Sequence, residues 1–271
     1  MKLEPVLPHH KLPLADRDAQ PSRSLDADDE TLERKVDKLR ARLDVLQEAL
    51  YAEAKQSLLV VLQARDAGGK DGTIRRVFSS VNPQGCSVHS FKQPTPEELA
   101  HDFLWRVHAA VPAHGMIGIF NRSHYEDVLA VRVHKLVPKD VWKKRYEQIN
   151  EFEHMLTRNG VTIVKFFLHV SREEQRARLL ERLTDPAKNW KFEAADLKER
   201  DLWDAYTRAF RDALRKCSTK WAPWYLVPAD RKHARDYLVL DTIVSALARM
   251  HPRYPKADPK VLKLARELRE S

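Results

Sequence analysis

Five short apolar runs constrain this chain more than anything else in it: SLLVVLQA at 57–64, CSVHSF at 86–91, MIGIF at 116–120, VTIVKFFLH at 161–169 and WYLVP at 224–228. They are apolar throughout instead of alternating, as strands buried on both faces require. Between them lie stretches with helical periodicity near 71–81, 96–110, 139–158, 171–184, 194–217 and 231–250. Each is long enough to carry the chain from one strand to the next. Strand, helix, strand in repetition means an α/β fold: a parallel sheet with helices on both of its faces.

The remaining segments frame that core. Residues 1–26, with Pro5, Pro8, Pro13 and Pro21, predict an extended arm that lies over the domain or over a neighbouring subunit. From Asp28 to Lys55, Leu32, Val36, Leu39, Leu43, Leu46 and Leu50 recur at spacings of four and three, the stripe of a long amphipathic helix. Such a stripe suits packing on the chain's own core or a seam between subunits. Residues 251–271 break at prolines and end in a short charged helix, a peripheral tail. The core domain is therefore expected over 27–250. With 271 residues, 43% of them apolar, the chain can bury one large core. No apolar run is long enough to cross a membrane and the first residues do not resemble a signal peptide, so a cytoplasmic location without membrane association is expected. Two cysteines, Cys86 and Cys217, have neither disulfide-framework nor metal spacing. A net charge of +9 favours an anionic partner without saying which.

The loop after the first run is more specific. A phosphate loop follows the pattern G-x-x-x-x-G-K-[ST], in which amides wrap the phosphates, the lysine touches them and the hydroxyl holds magnesium. Here the window is Ala64-Arg65-Asp66-Ala67-Gly68-Gly69-Lys70-Asp71, so an alanine replaces the first glycine and an aspartate the hydroxyl. Gly68, Gly69 and Gly72 still permit close backbone approach, and a helix starting at Asp71 to Thr73 turns its positive end to the loop. Asp66 and Asp71 would repel phosphate unless a divalent cation lies between. The bland alternative is a glycine-rich turn with Asp71 as a helix cap.

The run at 116–120 leads directly into NRSHYEDVL. Ligands bind at the carboxyl ends of parallel strands, which puts Asn121, Arg122, Glu126 and Asp127 on the same edge as the glycine loop. Asp127 is the expected second magnesium ligand, Arg122 a phosphate contact, and Glu126, with Asn121, an acceptor contact. Ser123 and Glu126 also have the spacing of a capping box, and both readings hold at once. Further on, SREEQRARLLERL carries Arg178 and Arg182 four residues apart on one helix face. They suit a lid, spanning roughly 171–217, that closes on a transferred phosphoryl group, and equally a solvated surface helix. His101, His108, His124 and His134 do not form a zinc set, and Trp221 and Trp224 suit packing better than a nucleobase platform.

Taken together, ARDAGGKDGTIRRV, NRSHYEDVL, the arginines of SREEQRARLLERL and PWYLVPADRK resemble the polyphosphate kinase 2 family, in order from about residue 30 to 250. The resemblance implies a thymidylate-kinase-like P-loop kinase fold: a three-layer α/β sandwich with a five-stranded parallel sheet and a helical lid. It implies reversible transfer of the terminal phosphoryl group between inorganic polyphosphate and adenine nucleotides (AMP, ADP, ATP), with magnesium or manganese. Glu126 in HYEDV resembles the class III-like branch that accepts both AMP and ADP. By position, Asp66 and Asp127 look like the metal-binding, catalytic carboxylates and Lys70 like the phosphate-contacting lysine. Gly68, Gly69, Asp71, Gly72 and Thr73 complete the phosphate loop, and Arg122, Arg178 and Arg182 look like clamps. A homo-oligomer, dimer or tetramer, is expected, and nucleic acid is not an expected partner. Two other readings stay open on the residues alone: an ATP-dependent nucleoside monophosphate kinase, and a P-loop-like protein that binds polyanions without chemistry.

Overall fold

A computed structural model describes residues 2–8, 12–22, 25 and 28–270 of the chain. Helix α1 (Asp29–Glu53) is followed by β1 (Ser57–Ala64), α2 (Lys70–Val77), β2 (Cys86–Ser90), the short α3 (Pro96–Leu99) and α4 (Trp105–Ala109). Next come β3 (Ile117–Asn121), α5 (Ala130–Val133), α6 (Lys139–Arg158), β4 (Val161–His169), α7 (Arg172–Thr184), α8 (Ala195–Asp201) and α9 (Trp203–Cys217). β5 (Trp224–Pro228), α10 (Lys232–Arg249) and α11 (Pro259–Glu270) close the chain. The five strands form one sheet in the order β2-β3-β1-β4-β5, every pair parallel. The three-layer α/β architecture and five-stranded parallel sheet are those expected from the sequence.

The register of β1 divides its side chains between two cores. Leu58, Val60, Leu62 and Ala64 point into a layer built by α1, α2 and α10; Leu59 and Val61 point into one built by α4, α6 and α9. All eight residues of β1 are buried, which explains why that run has no polar alternation. β2 departs from the expectation of burial on both faces. It sits at the sheet edge with Ser87, Val88, His89 and Ser90 exposed.

The leucine stripe of α1 packs on the chain's own core. Leu32, Val36, Leu43 and Leu50 are buried together with Leu238, Leu240, Ile243 and Leu247 of α10. Asp28 caps α1 by accepting from the Thr31 amide at 2.6 Å, and Ala54 ends it in a left-handed conformation. Two expected helices are each split. The 96–110 stretch breaks after the Thr95–Glu98 capping box, where the Asp102 carboxylate accepts from the Leu104 amide and starts a new turn. The 194–217 stretch breaks at Leu202, which leaves the helical path between α8 and α9.

The described part of the arm lies over this domain. Val6 N donates to Trp224 O at 2.7 Å, Arg211 donates to Leu12 O and Pro13 O, and His169 Nε2 donates to Ala15 O. The expected boundary at 26–27 falls outside the described residues. Among the described residues no helix is long and apolar enough to cross a membrane.

Candidate active site

The loop from Arg65 to Gly69 connects the buried end of β1 to the first turn of α2. Ala67 (φ 57°) and Gly69 (φ 96°) both adopt left-handed backbone, which bends the loop into a concave cradle of amides. Gly69 is the residue before the first helical position, and the first-turn amides of α2 have no carbonyl to bond within the helix. Such backbone suits an anion, and Lys70 stands at the first position of the helix.

Lys70 is held back over the loop, its Nζ 3.3 Å from Ala64 O. Burial lowers its pKa and Arg122 adds to that, while Asp66, Glu126 and Asp71 oppose it. The β3 end meets the loop through two contacts. Asn121 Nδ2 donates to Asp71 Oδ1 at 2.6 Å, and Arg122 Nη2 donates to Asp66 Oδ1 at 2.9 Å. Arg122 takes φ 62°, an uncommon backbone for an arginine, stored where its side chain must reach the loop. Burial works against its charge, but Glu126 and Asp66 outweigh it and raise its pKa. Glu126 shares this field. Burial raises its pKa, and Arg122 and Lys70 pull it back.

Several expected residues stand elsewhere than anticipated. Asp127 is ion-paired with Arg145, Nη1 to Oδ1 at 2.8 Å, and burial pushes its carboxyl up to about 6 against the pull of Arg145 and Arg106. Of the two neighbouring carboxylates Glu126 and Asp127, the one within the field of Lys70 and Arg122 is Glu126, beside Asp66. Arg178 is not aimed outward as a clamp. It is buried, donates to Glu174 Oε1, Ala67 O, Ala229 O and Asp230 O, and so braces the loop from below. Arg182 is bound within its own segment, to Asp196 Oδ2 and Lys191 O. The Thr73 hydroxyl is buried and donates to Asp236 Oδ1 at 3.2 Å, so it faces the protein and not the cradle. Gly68 lies under the loop, where a Cβ would collide with Ala64 and Arg65; Gly72 is exposed in the first turn of α2.

Other residues were not singled out by sequence reasoning. Lys165 is fully buried in β4 and donates to Tyr125 Oη (2.7 Å), Glu153 Oε2 (2.5 Å) and Cys217 O (2.7 Å). Tyr125 and His124 both bond Glu153 Oε1, so the turn that bears Glu126 and Asp127 is riveted from behind. A lone lysine in VTIVKFFLH was the available signal. Arg65 stacks on Trp203 at 4.0 Å and lines a cleft with Asp66, Arg122, Glu126, Glu199 and Tyr206. Its pKa is lowered by burial to about 10. Arg235 and Asp236, from α10, complete the wall beside Gly69.

The donor set suits a hard, oxygen-bound cation that keeps waters and takes substrate phosphates as partners. Asp66 is accessible at the cradle, and no described residue bonds Asp127 Oδ2. Among the described residues no three or more His, Cys, Asp or Glu side chains are grouped so that they could hold a metal ion by themselves.

A phosphate cradle between the first strand and helix of a parallel sheet, with cationic and carboxylate groups from the neighbouring strand end, defines a kinase of the P-loop class. Within that class, the chain belongs to the polyphosphate kinase 2 family, whose description "Polyphosphate kinase 2 (PPK2)" matches residues 26–255. It is 56% identical over 220 residues to the AMP/ADP-polyphosphate phosphotransferase of Meiothermus ruber, covering 81% of this chain and 82% of the relative. It is 47% identical over 241 residues to the ADP-polyphosphate phosphotransferase of Rhodopseudomonas palustris, covering 84% and 83%. The crystal structure of polyphosphate kinase 2 from Arthrobacter aurescens TC1 superposes with a TM-score of 0.90 at 41% identity, covering 93% of this chain and 91% of that one.

Proposed function

We propose that the protein transfers the terminal phosphoryl group of inorganic polyphosphate to AMP or ADP, forming ADP or ATP. The observation that carries this reading is the loop itself: a phosphate cradle in which Asp71 stands where an ATP-binding loop has its hydroxyl, with Lys70 set among Asp66, Asp71, Glu126 and Arg122. The similarity to relatives named for polyphosphate and for both AMP and ADP supports the donor and the acceptors.

In the reaction, a terminal phosphate oxygen of the acceptor attacks the end phosphorus of the chain. The bridging P–O bond breaks, and the polymer leaves one unit shorter. Lys70 and Arg122 offset the charge that builds on the transferred group and the α2 amides hold the donor end, a reading supported by the closeness of the two cations and by the uncapped first turn of α2. Asp66 and Asp127 would hold magnesium, which supplies further charge neutralisation between phosphates. Glu126 is read as the acceptor contact that sets which nucleotide fits, a role its electrostatic coupling to Arg122 supports.

The test is nucleotide formation. With magnesium, ADP and polyphosphate, ATP is expected; with AMP, ADP is expected, and chelation of the metal stops both. Absence of ATP from polyphosphate and ADP, or transfer only when ATP is the donor, overturns the reading.

A further inference from the structure

Two arginines approach Gly69 from different helices, and they are not equivalent. Arg178 comes from α7, with Nη1 3.6 Å from where a Gly69 Cβ would stand. Its donors serve Ala67 O, Ala229 O, Asp230 O and Glu174, so it holds backbone together. Arg235 comes from the first turn of α10. A Cβ at Gly69 would collide with its Nη1, and a Cβ at Gly72 would stand 3.7 Å from its Nη2. Its Nε and Nη2 are fixed by Asp236 Oδ1 at 2.8 and 2.7 Å, whereas Nη1 has no bonded partner among the described residues.

Asp236 is itself immobilised, accepting from Thr73 Oγ1 at 3.2 Å and lying 3.6 Å from Arg76 Nε. Thr73, Asp236 and Arg235 therefore form one relay from the α2 helix to the loop. The Arg235 side chain is only 4% exposed. A buried guanidinium with an unused donor beside an amide cradle has one chemistry to offer, which is to bind an anion seated there.

We infer that Arg235 is a donor-side phosphate ligand: its Nη1 contacts the polyphosphate chain where the chain passes Gly69, and Asp236 holds it in that pose. The inference rests on the cradle being the polyphosphate site. Arg178 is then the brace and Arg235 the contact, whereas the sequence suggests Arg178 as the clamp and gives Arg235 no role. Gly69 is required twice, by its positive φ and by the space Arg235 occupies.

The test uses the full chain with Arg235→Met, Arg235→Lys and Asp236→Asn, and polyphosphate of defined length. Binding without nucleotide is measured across a salt series alongside steady-state transfer. Arg235→Met is expected to weaken polyphosphate binding by about tenfold or more and to reduce the salt slope by about one ion. The KM for polyphosphate rises and the KM for ADP does not. Arg235→Lys keeps the slope but loses affinity, and Asp236→Asn does the same because the charge stays while its pose is released. If Arg235→Met does not fold, the other two decide: unchanged polyphosphate KM in both overturns the inference, as does a wild-type slope and KM in a folded Arg235→Met. Should the wild type form no ATP while Arg235→Met still weakens polyphosphate binding, the reaction assignment falls and the inference stands.

Discussion

Arg178 and Arg235 show what a residue's neighbours decide that its position in a helix does not. Arg178 was named from the sequence as a clamp, whereas Arg235 lies three residues beyond the stretch PWYLVPADRK and was not named. Their roles depend on whether backbone carbonyls happen to satisfy the guanidinium, and that is set by how α7, β5 and the loop pack. Lys70, Asp66 and the glycines were legible because their chemistry is local: strand, turn and helix start within ten residues. Asp127 lies between these cases. Its place after β3 was foreseeable, but its pairing with Arg145 of α6 was not. Asp127→Asn removes a carboxylate charge without changing shape. Transfer should fall by roughly a hundredfold or more while the far-ultraviolet circular dichroism stays as in the wild type; retained turnover removes Asp127 from the chemistry.

At the level of elements, burial on two faces made β1, β4 and β5 readable to the residue, since no other local structure needs so compact an apolar run. The edge strand β2 and the split helices were less legible. Their ends are set by side-chain caps at Asp102 and by the turn at Leu202, which periodicity does not register. Whether α1 served its own core or a partner was open because an apolar stripe is the same in both cases. Its contact with α10 answers that and carries a cost that can be measured. Leu43 is fully buried in the α1 and α10 layer, so Leu43→Ala should destabilise the fold by about 2–5 kcal/mol. Chemical denaturation gives the number, and a loss below ~1 kcal/mol would mean that the layer relaxes around the gap.

For the molecule as a whole, buried histidines set how it meets acid. His124 and His169 both have pKa values lowered by burial, partly opposed by Glu153 for the first and by the Ala15 carbonyl for the second. The unfolded chain takes up protons near 6.5 that the folded chain refuses, so this part of the stability is present above 6.5 and is lost as pH falls below it. Carboxyls whose pKa is raised by burial, such as Asp230 and Asp236, act in the opposite direction. The clean measurement is therefore a difference. His169→Gln should lose less melting temperature than the wild type between pH 7.5 and 5.5, and equal losses would show that His169 does not contribute.

His169 also ties down the arm, and that contact has a consequence for how the chain is made. The Ser218 hydroxyl, which donates to Val6 O, lies 212 residues further along, and β5, which the arm borders, is the last strand of the sheet. During synthesis these contacts cannot form until Ser218 and β5 have been made. The arm's closure is a long-range event that local structure cannot hasten, and it reports that β5 has found its edge.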